Sequence, residues 1–145
     1  MLKLSRRHMD TIVAHARIGL PHEACGLLAG ERCNNERIVR KVYALTNTDA
    51  SAEHFSMDAR EQFRAIADMR SLGLELLGNF HSHPATPARP SQEDIKLAFD
   101  PSLSYAIISL MESEPGLKSF RVQQGTAREE DIVVFEDEDE PDRTT

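Results

Sequence analysis

The sequence has little cysteine, which excludes a fold that depends on many disulfides. Its 145 residues include two cysteines, Cys25 and Cys33. Small secreted domains that need disulfides carry several pairs, so a single pair does not form such a framework. One bridge across a hairpin is possible, but reduced thiols are expected.

A long apolar run is also absent. No stretch approaches the roughly 20 apolar residues that a helix needs to cross a bilayer. The first ten residues carry Lys3, Arg6 and Arg7. A signal peptide has an apolar run after such basic residues, and this sequence has none there. We therefore expect a cytoplasmic protein with no membrane partner. Hydrophobic residues make up 40% of the chain and charged residues 28%, as in ordinary globular domains.

Positive charge is not concentrated anywhere. The net charge is −7, but residues 1–128 hold 16 basic and 15 acidic residues, whereas 129–145 hold nine acids and Arg143. The body of the chain is thus near neutral and lacks the basic stripe that nucleic-acid binding requires. The acid run over 136–142 is expected to stay solvated. The predicted organisation is one domain over 1–135 and a disordered acidic tail over 136–145.

Apolar periodicity and turn residues predict a single mixed α/β domain without internal repeats. Ser5 caps a first amphipathic helix, and Asp58 with Glu61 opens a second one that ends at Gly73. This second helix is expected to turn Phe63, Ile66 and Ala67 inward. A third short helix is expected over 91–99, and strands over 24–29, 38–45, 55–57, 74–83, 105–110, 117–122 and 132–135.

Two histidines at strand spacing carry the chemical signal. His81 and His83 are two residues apart, so their side chains leave the same face of the predicted strand. Pro84 ends this strand, and Asp94 lies near the start of the next helix. Two imidazoles and one carboxylate leave an open position on tetrahedral zinc, as in catalytic sites. A water in that position can become a nucleophile at neutral pH.

These residues resemble the JAMM (MPN-plus) metallopeptidases of the compact prokaryotic type. The resemblance rests on HSHP at 81–84, SxxD at 91–94 and EACGLLAG at 23–30, and it spans about 4–122, including FSMD at 55–58. It implies a JAB/MPN-like fold, a mixed sheet flanked by helices in a cytidine-deaminase-like architecture. It also implies a zinc-dependent peptidase.

The resemblance assigns a role to each motif residue. It makes His81, His83 and Asp94 the zinc ligands and Glu23 the general acid/base that acts on the zinc-activated water. Ser91 would donate a hydrogen bond to the developing oxyanion. Spacing alone does not single out Glu23, which otherwise reads as a surface carboxylate. Cys25 could share its face and line the pocket, although a buried inert thiol is the simpler interpretation.

The SxxD pattern also has a purely structural interpretation. Ser91 and Asp94 fit a helix N-cap with an acid in the first turn. We expect that Asp94 cannot use the same oxygen for a backbone amide and for zinc.

The family's substrates imply cleavage after the Gly-Gly tail of a ubiquitin-like or sulfur-carrier protein, with the tail bound by strand addition at a sheet edge. Two alternatives stay open: a non-catalytic MPN scaffold, and a zinc hydrolase of the same fold with an unrelated substrate. The His-Glu-x-x-His motif of other metallopeptidases and the paired-cysteine motif of zinc deaminases are absent. The sequence predicts no oligomeric state.

Overall fold

A computed structural model describes residues 1–143 and shows one mixed sheet with helices on both faces. The strands of the described chain are β1 (Leu2–Ser5), β2 (Cys25–Cys33), β3 (Glu36–Leu45), β4 (Glu75–His83), β5 (Ser104–Ser109), β6 (Gly116–Gln123), β7 (Thr126–Glu130) and β8 (Ile132–Phe135). Its helices are α1 (Arg6–Gly19), α2 (Ala59–Ser71) and α3 (Gln92–Leu97), with a 3-10 turn at Asp137–Asp139. No helix within 1–143 combines the length and apolar character of a membrane span.

The eight strands are arranged in the order β7-β6-β5-β4-β2-β3-β1-β8. Strand β1 runs parallel to β3 and β8, and β4 runs parallel to β5. The other neighbours are antiparallel, including the predicted β2–β3 hairpin. The mixed α/β prediction is confirmed, and β4 lies in the middle of the sheet with β2 and β5 paired to its two sides.

Each face of the sheet packs against one long helix. Helix α1 places Ile12 and Ala16 in a core cluster with Leu28 and Phe80. Helix α2 places Ala65 and Met69 against the opposite face, beside Cys25, Leu27 and Ala29 of β2. Burial of each large apolar side chain contributes roughly 1.5–3 kcal/mol, so the two clusters fix the layers.

Capping residues set the helix ends as the sequence predicts. The Ser5 hydroxyl accepts a hydrogen bond from the His8 N–H at 3.2 Å, and the Asp58 carboxylate accepts one from the Glu61 N–H at 3.0 Å. Gly73 follows α2 with a φ of +70°, a conformation that favours glycine at this position.

The buried face of α2 differs from the prediction. Phe63 is 76% exposed and Ala67 is also exposed, whereas Ala65 and Met69 are buried and Ile66 packs against them. The helix is rotated from the predicted orientation, and the stripe that contains Ala65, Ile66 and Met69 packs against the sheet. The expected strand over 55–57 is reduced to a single bridge between Asn47 and Met57.

A β-bulge in β4 decides which residues face α2. Leu28 pairs with Gly78 and Ala29 pairs with Leu76, so Leu77 is an extra residue in β4. Leu76 packs in the α2 cluster, and Leu77 packs in the α1 cluster. Because of this extra residue, Leu77 faces α1 together with Phe80, three residues further on, and regular alternation resumes toward the end of β4.

The described part of the acidic segment lies against the body. Arg40 donates hydrogen bonds to the Glu31 carboxylate, to Glu140 and to the Pro141 carbonyl. Arg143 donates to Glu31 at 3.1 Å. Arg40 and Arg143 thus pair with acids of the body and of the segment, while the predicted boundary between a domain over 1–135 and a tail over 136–145 stays a prediction. Residues 144 and 145 lie outside the described part of the chain.

Both cysteines are free thiols, in agreement with the expected reduced state. Cys25 is buried in β2 and Cys33 lies partly exposed at the end of the same strand. A bridge across the hairpin is not present.

Candidate metal centre and active site

Three predicted ligands converge at the end of β4. The Nε2 atoms of His81 and His83 lie 3.2 Å apart, and the Asp94 Oδ2 lies 3.1 Å from the first and 3.2 Å from the second. Both histidines are buried, and Asp94 is partly buried. These three donor atoms form a group that can hold one metal ion.

Asp94 reaches the histidines because α3 begins with a complete capping box. The Ser91 hydroxyl accepts a hydrogen bond from the Asp94 N–H at 3.0 Å, and the Ser91 N–H donates to the Asp94 Oδ2 at 2.9 Å. The same Oδ2 therefore faces both the cap and the two imidazoles. A carboxylate oxygen has two lone pairs, and the capping geometry directs the second toward the histidines. That one oxygen cannot serve both a backbone amide and zinc stays a prediction.

The loop after β4 fixes the orientation of His83. Its Nδ1 donates a hydrogen bond to the Pro87 carbonyl at 2.8 Å. The Ser109 hydroxyl donates to the neighbouring Thr86 carbonyl at 2.6 Å and anchors this loop to β5. With its Nδ1 protonated, a neutral His83 presents the Nε2 lone pair to the centre, as a metal-ligating histidine does.

His81 is oriented by an aromatic ring instead. Its Nδ1 is buried without a hydrogen-bond partner among residues 1–143. The Phe55 ring stacks on the imidazole, with 4.6 Å between ring centres and 25° between planes. Phe55 lies in the loop between β3 and α2, far from β4 in sequence. The two histidines therefore have different supports.

The electrostatics of the group favour a cation at its centre. Burial would raise the pKa of Asp94, but its contacts with His81 and His83 outweigh burial and hold the pKa well below its usual range. Burial lowers the pKa of His81. Burial also opposes the charged form of His83, but the Asp94 contact prevails and raises the pKa. In neutral His83, the Nε2 lone pair would lie 3.2 Å from the Asp94 Oδ2 and would be repelled by it. A positive charge between these two atoms would relieve the repulsion. The residues therefore fit a divalent metal.

Glu23 lies buried near His83 and Asp94. The residue is 4% exposed, and its Oε1 has no hydrogen-bond partner within 1–143. Burial raises its pKa to about 8, while the charge of His83 opposes this rise and Asp94 adds to it. A buried carboxyl that holds a proton near neutral pH is typical of functional sites.

The backbone around Glu23 is tied to β4 and to the loop that carries Phe55. The Ala24 N–H donates to the Ser82 hydroxyl at 2.7 Å, and the Ser82 N–H donates to the Ala24 carbonyl at 2.9 Å. The Glu23 N–H donates to the Ser51 carbonyl at 2.7 Å. Ser82, which points away from the two histidines, thus connects Glu23 to the strand that carries them.

Asn47 connects Glu23 with the Phe55 loop and was not singled out from the sequence. Its side-chain amide donates to the carbonyls of Glu23 and His54, and its oxygen accepts from the N–H groups of Asp49 and Ser56. Neither Asn47 nor Phe55 carries a local signal for such a role, because their partners are distant in sequence.

Ser91 and Cys25 complete the predicted set. Ser91 is exposed at the start of α3, next to Asp94. Cys25 is fully buried in the α2 cluster, and burial raises the pKa of its thiol to about 12. The buried, unreactive thiol is the interpretation that the structure supports.

Comparison with known proteins defines the class. The model of a family described as "Prokaryotic homologs of the JAB domain" matches residues 5–123. The chain is 35% identical to a CysO-cysteine peptidase of Mycobacterium tuberculosis over 129 residues, 88% of this chain and 87% of that protein. A desampylase of Haloferax volcanii is 32% identical over 113 residues, covering 74% of this chain and 80% of that protein.

A solved structure agrees over nearly the whole chain. The solution structure of a protein from Desulfitobacterium hafniense is 53% identical and has a TM-score of 0.88, covering 99% of this chain and 100% of that one. The fold is a single-domain JAB/MPN fold. The chain belongs to the prokaryotic JAB family. The two relatives described above are named as a peptidase and a desampylase.

Proposed function

We propose that this protein is a zinc-dependent peptidase that cleaves a peptide or isopeptide bond after the Gly-Gly tail of a ubiquitin-like or sulfur-carrier protein. One observation carries the proposal: His81, His83 and Asp94 converge beside Glu23, a buried carboxyl with a raised pKa. The names CysO-cysteine peptidase and desampylase among its relatives support the substrate class.

The side chains of His81, His83 and Asp94 would hold the zinc ion. Two imidazole nitrogens and one carboxylate oxygen are a donor set that zinc accepts in catalytic sites. Zinc, when bound, acts as a Lewis acid that lowers the pKa of water and polarises a carbonyl. His83 keeps its lone pair directed inward because Pro87 holds its other nitrogen.

Glu23 would move the proton. Its carboxylate accepts a proton from the attacking water, and the resulting acid donates that proton to the departing amine. A pKa of about 8 leaves a fraction of Glu23 ionised at neutral pH to accept the proton, and the acid that forms keeps this proton until it donates it to the amine. Burial keeps competing water away from the carboxyl.

Ser91 is suited to donate to the oxyanion. Its oxygen already accepts the Asp94 N–H, so its own proton is free to be donated elsewhere. The capping box fixes the position of this hydroxyl beside the Asp94 carboxylate. A fixed donor that meets the charge formed in the transition state accelerates acyl transfer.

The sheet order changes the expected mode of substrate binding. Strand β4 is already paired with β2 and β5, and the sheet edges β7 and β8 lie three and four positions away from it. At about 4.8 Å per strand, the nearer edge is roughly 14 Å from β4. A tail added to that edge would therefore reach His81 through about four further extended residues. Beside His81 these residues would be held by the loops over 46–58 and 84–91.

The test is cleavage of defined carriers. We expect that at least one member of a panel of ubiquitin-like and sulfur-carrier proteins, each extended beyond Gly-Gly, loses its extension when incubated with the zinc-loaded protein. Intact-mass spectrometry measures the product. Glu23→Gln with full zinc content is the matched control and should leave the masses unchanged. Zinc binding without cleavage of any carrier would contradict the proposed function.

A further inference from the structure

A cavity lined by arginines lies at the end of the sheet opposite to the candidate metal centre. Its volume is about 320 Å³, and Arg32, Arg37 and Arg121 form part of its wall. The Arg37 Nη1 donates a hydrogen bond to the Leu77 carbonyl in β4 at 3.0 Å. His81 lies four residues beyond Leu77, which is roughly 13 Å along an extended strand. We call this cavity the arginine cavity.

The fold brings the three arginines together from two distant parts of the sequence. Arg32 and Arg37 are paired across the β2–β3 hairpin, and Arg121 comes from β6. Arg37 lies two residues before Val39 of the α1 cluster, so its side chain leaves the α1 face of the sheet. Arg32 already has an ion pair with Glu75 at 3.1 Å. The question is therefore what balances the charges of Arg37 and Arg121.

Arg37 is a buried cation without a counter-charge. The residue is 8% exposed, and its Nη1 donates to two neutral oxygens, the Leu77 carbonyl and the Ser104 hydroxyl at 3.2 Å. No carboxylate of residues 1–143 forms an ion pair with it. A buried charge without an opposite charge raises the free energy of the folded state. An anion in the cavity would reduce this cost.

Arg121 also lacks a counter-charge. Its Nη2 donates to the Pro101 carbonyl at 2.8 Å, whereas its Nε is buried with no hydrogen-bond partner within the described chain. No ion pair joins Arg121 to an acid of that chain. A guanidinium presents its N–H groups in a planar fork that fits two oxygens of one anion. Both arginines can thus serve an anion that enters the cavity.

The two acids of the cavity wall are engaged with other groups. Glu36 pairs with Lys3 at 3.0 Å. Glu130 accepts a hydrogen bond from the Ser119 hydroxyl at 2.7 Å, and its other oxygen lies 3.5 Å from the Met1 amino group. Neither carboxylate therefore neutralises the two arginines.

The potential at Arg37 stays positive. Burial lowers the pKa of its guanidinium, and the charges of Arg121 and Arg32 lower this pKa further. Glu130 and Asp100 oppose the shift but do not reverse it. An arginine nevertheless stays protonated at neutral pH. The cavity therefore attracts an anion rather than a cation.

The lining of the cavity favours an anion with several oxygens. Asn34 and Asn35 of the β2–β3 turn also line it, and their amides can donate hydrogen bonds. A phosphate group carries about −1.5 to −2 charge near pH 7 and offers several strong acceptor oxygens. Since one water needs roughly 10–15 Å³ by the same measure, a cavity of about 320 Å³ has room for a phosphate and for a group attached to it.

We propose that the arginine cavity binds the phosphate group of a small molecule through Arg37 and Arg121. Inorganic phosphate and a nucleotide share this group, and the experiment below distinguishes them. This binding does not depend on the proposed peptidase activity, because neither Glu23 nor a candidate metal ligand lines the cavity.

Isothermal titration calorimetry of the full chain with inorganic phosphate tests the site. Sodium chloride keeps the ionic strength constant in every titration, so that a general salt effect is not measured as binding. Phosphate can also bind a metal ion, and the titration is therefore made with zinc-loaded and with chelator-treated protein. We expect one saturable site with the same affinity in both samples.

Two variants remove the proposed donors. Arg37→Gln and Arg121→Gln should each weaken phosphate binding by at least about 10-fold, because a hydrogen bond to a charged group contributes roughly this factor. Arg64→Gln removes an exposed arginine on α2, on the opposite face of the sheet, and is the matched control that should keep the original affinity. Arg121 is only partly buried, so Arg121→Gln tests the site even if Arg37→Gln does not fold.

A titration with adenosine monophosphate identifies the source of the phosphate group. Tighter binding than that of inorganic phosphate, weakened again by Arg121→Gln, would support a nucleotide as the ligand. Equal or weaker binding would support free phosphate. Both results agree with the proposed site.

Three results would overturn the proposal. The first is the absence of saturable phosphate binding at constant ionic strength. The second is loss of binding after treatment with the chelator, which would place the phosphate on the metal. The third is the same affinity in Arg121→Gln and Arg64→Gln, which would place the phosphate elsewhere on the surface. None of these results bears on cleavage of the carrier panel, which tests the proposed function separately.

Discussion

The ring of Phe55 lies nearly parallel to the imidazole of His81, with 4.6 Å between their centres. His83 is held by a hydrogen bond to a carbonyl, whereas His81 has no such partner for its Nδ1 among the described residues. Stacking on Phe55 thus orients His81, whereas the hydrogen bond to the Pro87 carbonyl orients His83. This arrangement makes the loop between β3 and α2 part of the candidate metal site.

Removal of the Phe55 ring should weaken zinc binding. Phe55→Ala leaves His81 free to rotate, and loss of an orienting group typically lowers metal affinity about 10- to 100-fold. Competition with a chelator of known affinity measures this change. Phe63→Ala removes a ring that is 76% exposed on α2 and should leave the zinc affinity unchanged. Equal affinities for both variants would show that the stacking contact does not orient His81.

Glu23→Gln should separate metal binding from turnover. The amide cannot accept a proton from water, so turnover should fall by about 100- to 10,000-fold while zinc stays bound. Steady-state cleavage of the best carrier, with zinc content measured on the same sample, gives both quantities. Glu112→Gln changes an exposed acid beyond β5 and serves as the control. Turnover that persists in Glu23→Gln would remove this residue from the mechanism.

Replacement of any ligand should remove the metal. His81→Ala and Asp94→Ala each leave two donors, which are too few for a stable catalytic zinc site. Elemental analysis after dialysis should find well under one zinc per chain. His54→Ala removes an exposed imidazole that binds Asp49 and should keep the full zinc content. A stoichiometric zinc in Asp94→Ala would mean that the carboxylate is not a ligand.

The buried carboxyl of Glu23 should make the metal-free protein less stable as pH rises. Its pKa is raised from 4.5 to about 8, so the folded state retains a proton that the unfolded state has lost between these values. The free energy of unfolding should therefore fall from pH 5 to 8, by up to about 1.4 kcal/mol per pH unit.

Comparison of Glu23→Gln with the unchanged protein separates the effect of Glu23 on stability from that of the histidines. Urea denaturation in the presence of a chelator should show that Glu23→Gln gains stability relative to the unchanged protein as pH rises from 5 to 8. A difference between the two proteins that stays constant over this range would contradict the raised pKa.

The two ion pairs on β3 should differ in their contribution to stability. Arg40 and Glu31 have side chains that are 8% and 10% exposed, whereas Lys41 and Asp68 are 43% and 42% exposed. Arg40→Ala leaves Glu31 with fewer partners in a buried place and should cost about 3 kcal/mol. Lys41→Ala should cost about 0–1 kcal/mol. Denaturant unfolding measures both, and equal costs would contradict the distinction.

Local patterns were sufficient for most of the framework around the site. The alternation at His81 and His83 fixes their common face, and Ser91-x-x-Asp94 fixes the start of α3. Both depend on neighbours within a few residues, where period and capping rules apply. The hairpin of β2 and β3 follows from apolar runs on both sides of an Asn-Asn turn.

Features that depend on distant partners were missed. Strand β1 is four residues long and forms because β8, about 130 residues further on, pairs with it. Strand β7 has the sequence TAREE, which lacks any strand pattern and is ordered by β6. The orientation of Phe63 was predicted wrongly, because two rotations of α2 were consistent with its apolar residues and the sheet selected one.

The position of β4 between two partners affects how this protein could be altered. The two candidate imidazole ligands stand on this central strand, whereas the segments 46–58 and 84–91 are connections between regular elements that carry Asn47, Phe55, Pro87 and Ser91. Such connections tolerate insertion and exchange far better than paired strands do. A loop graft that keeps these four residues could therefore redirect the choice of partner while the proposed chemistry stays in place.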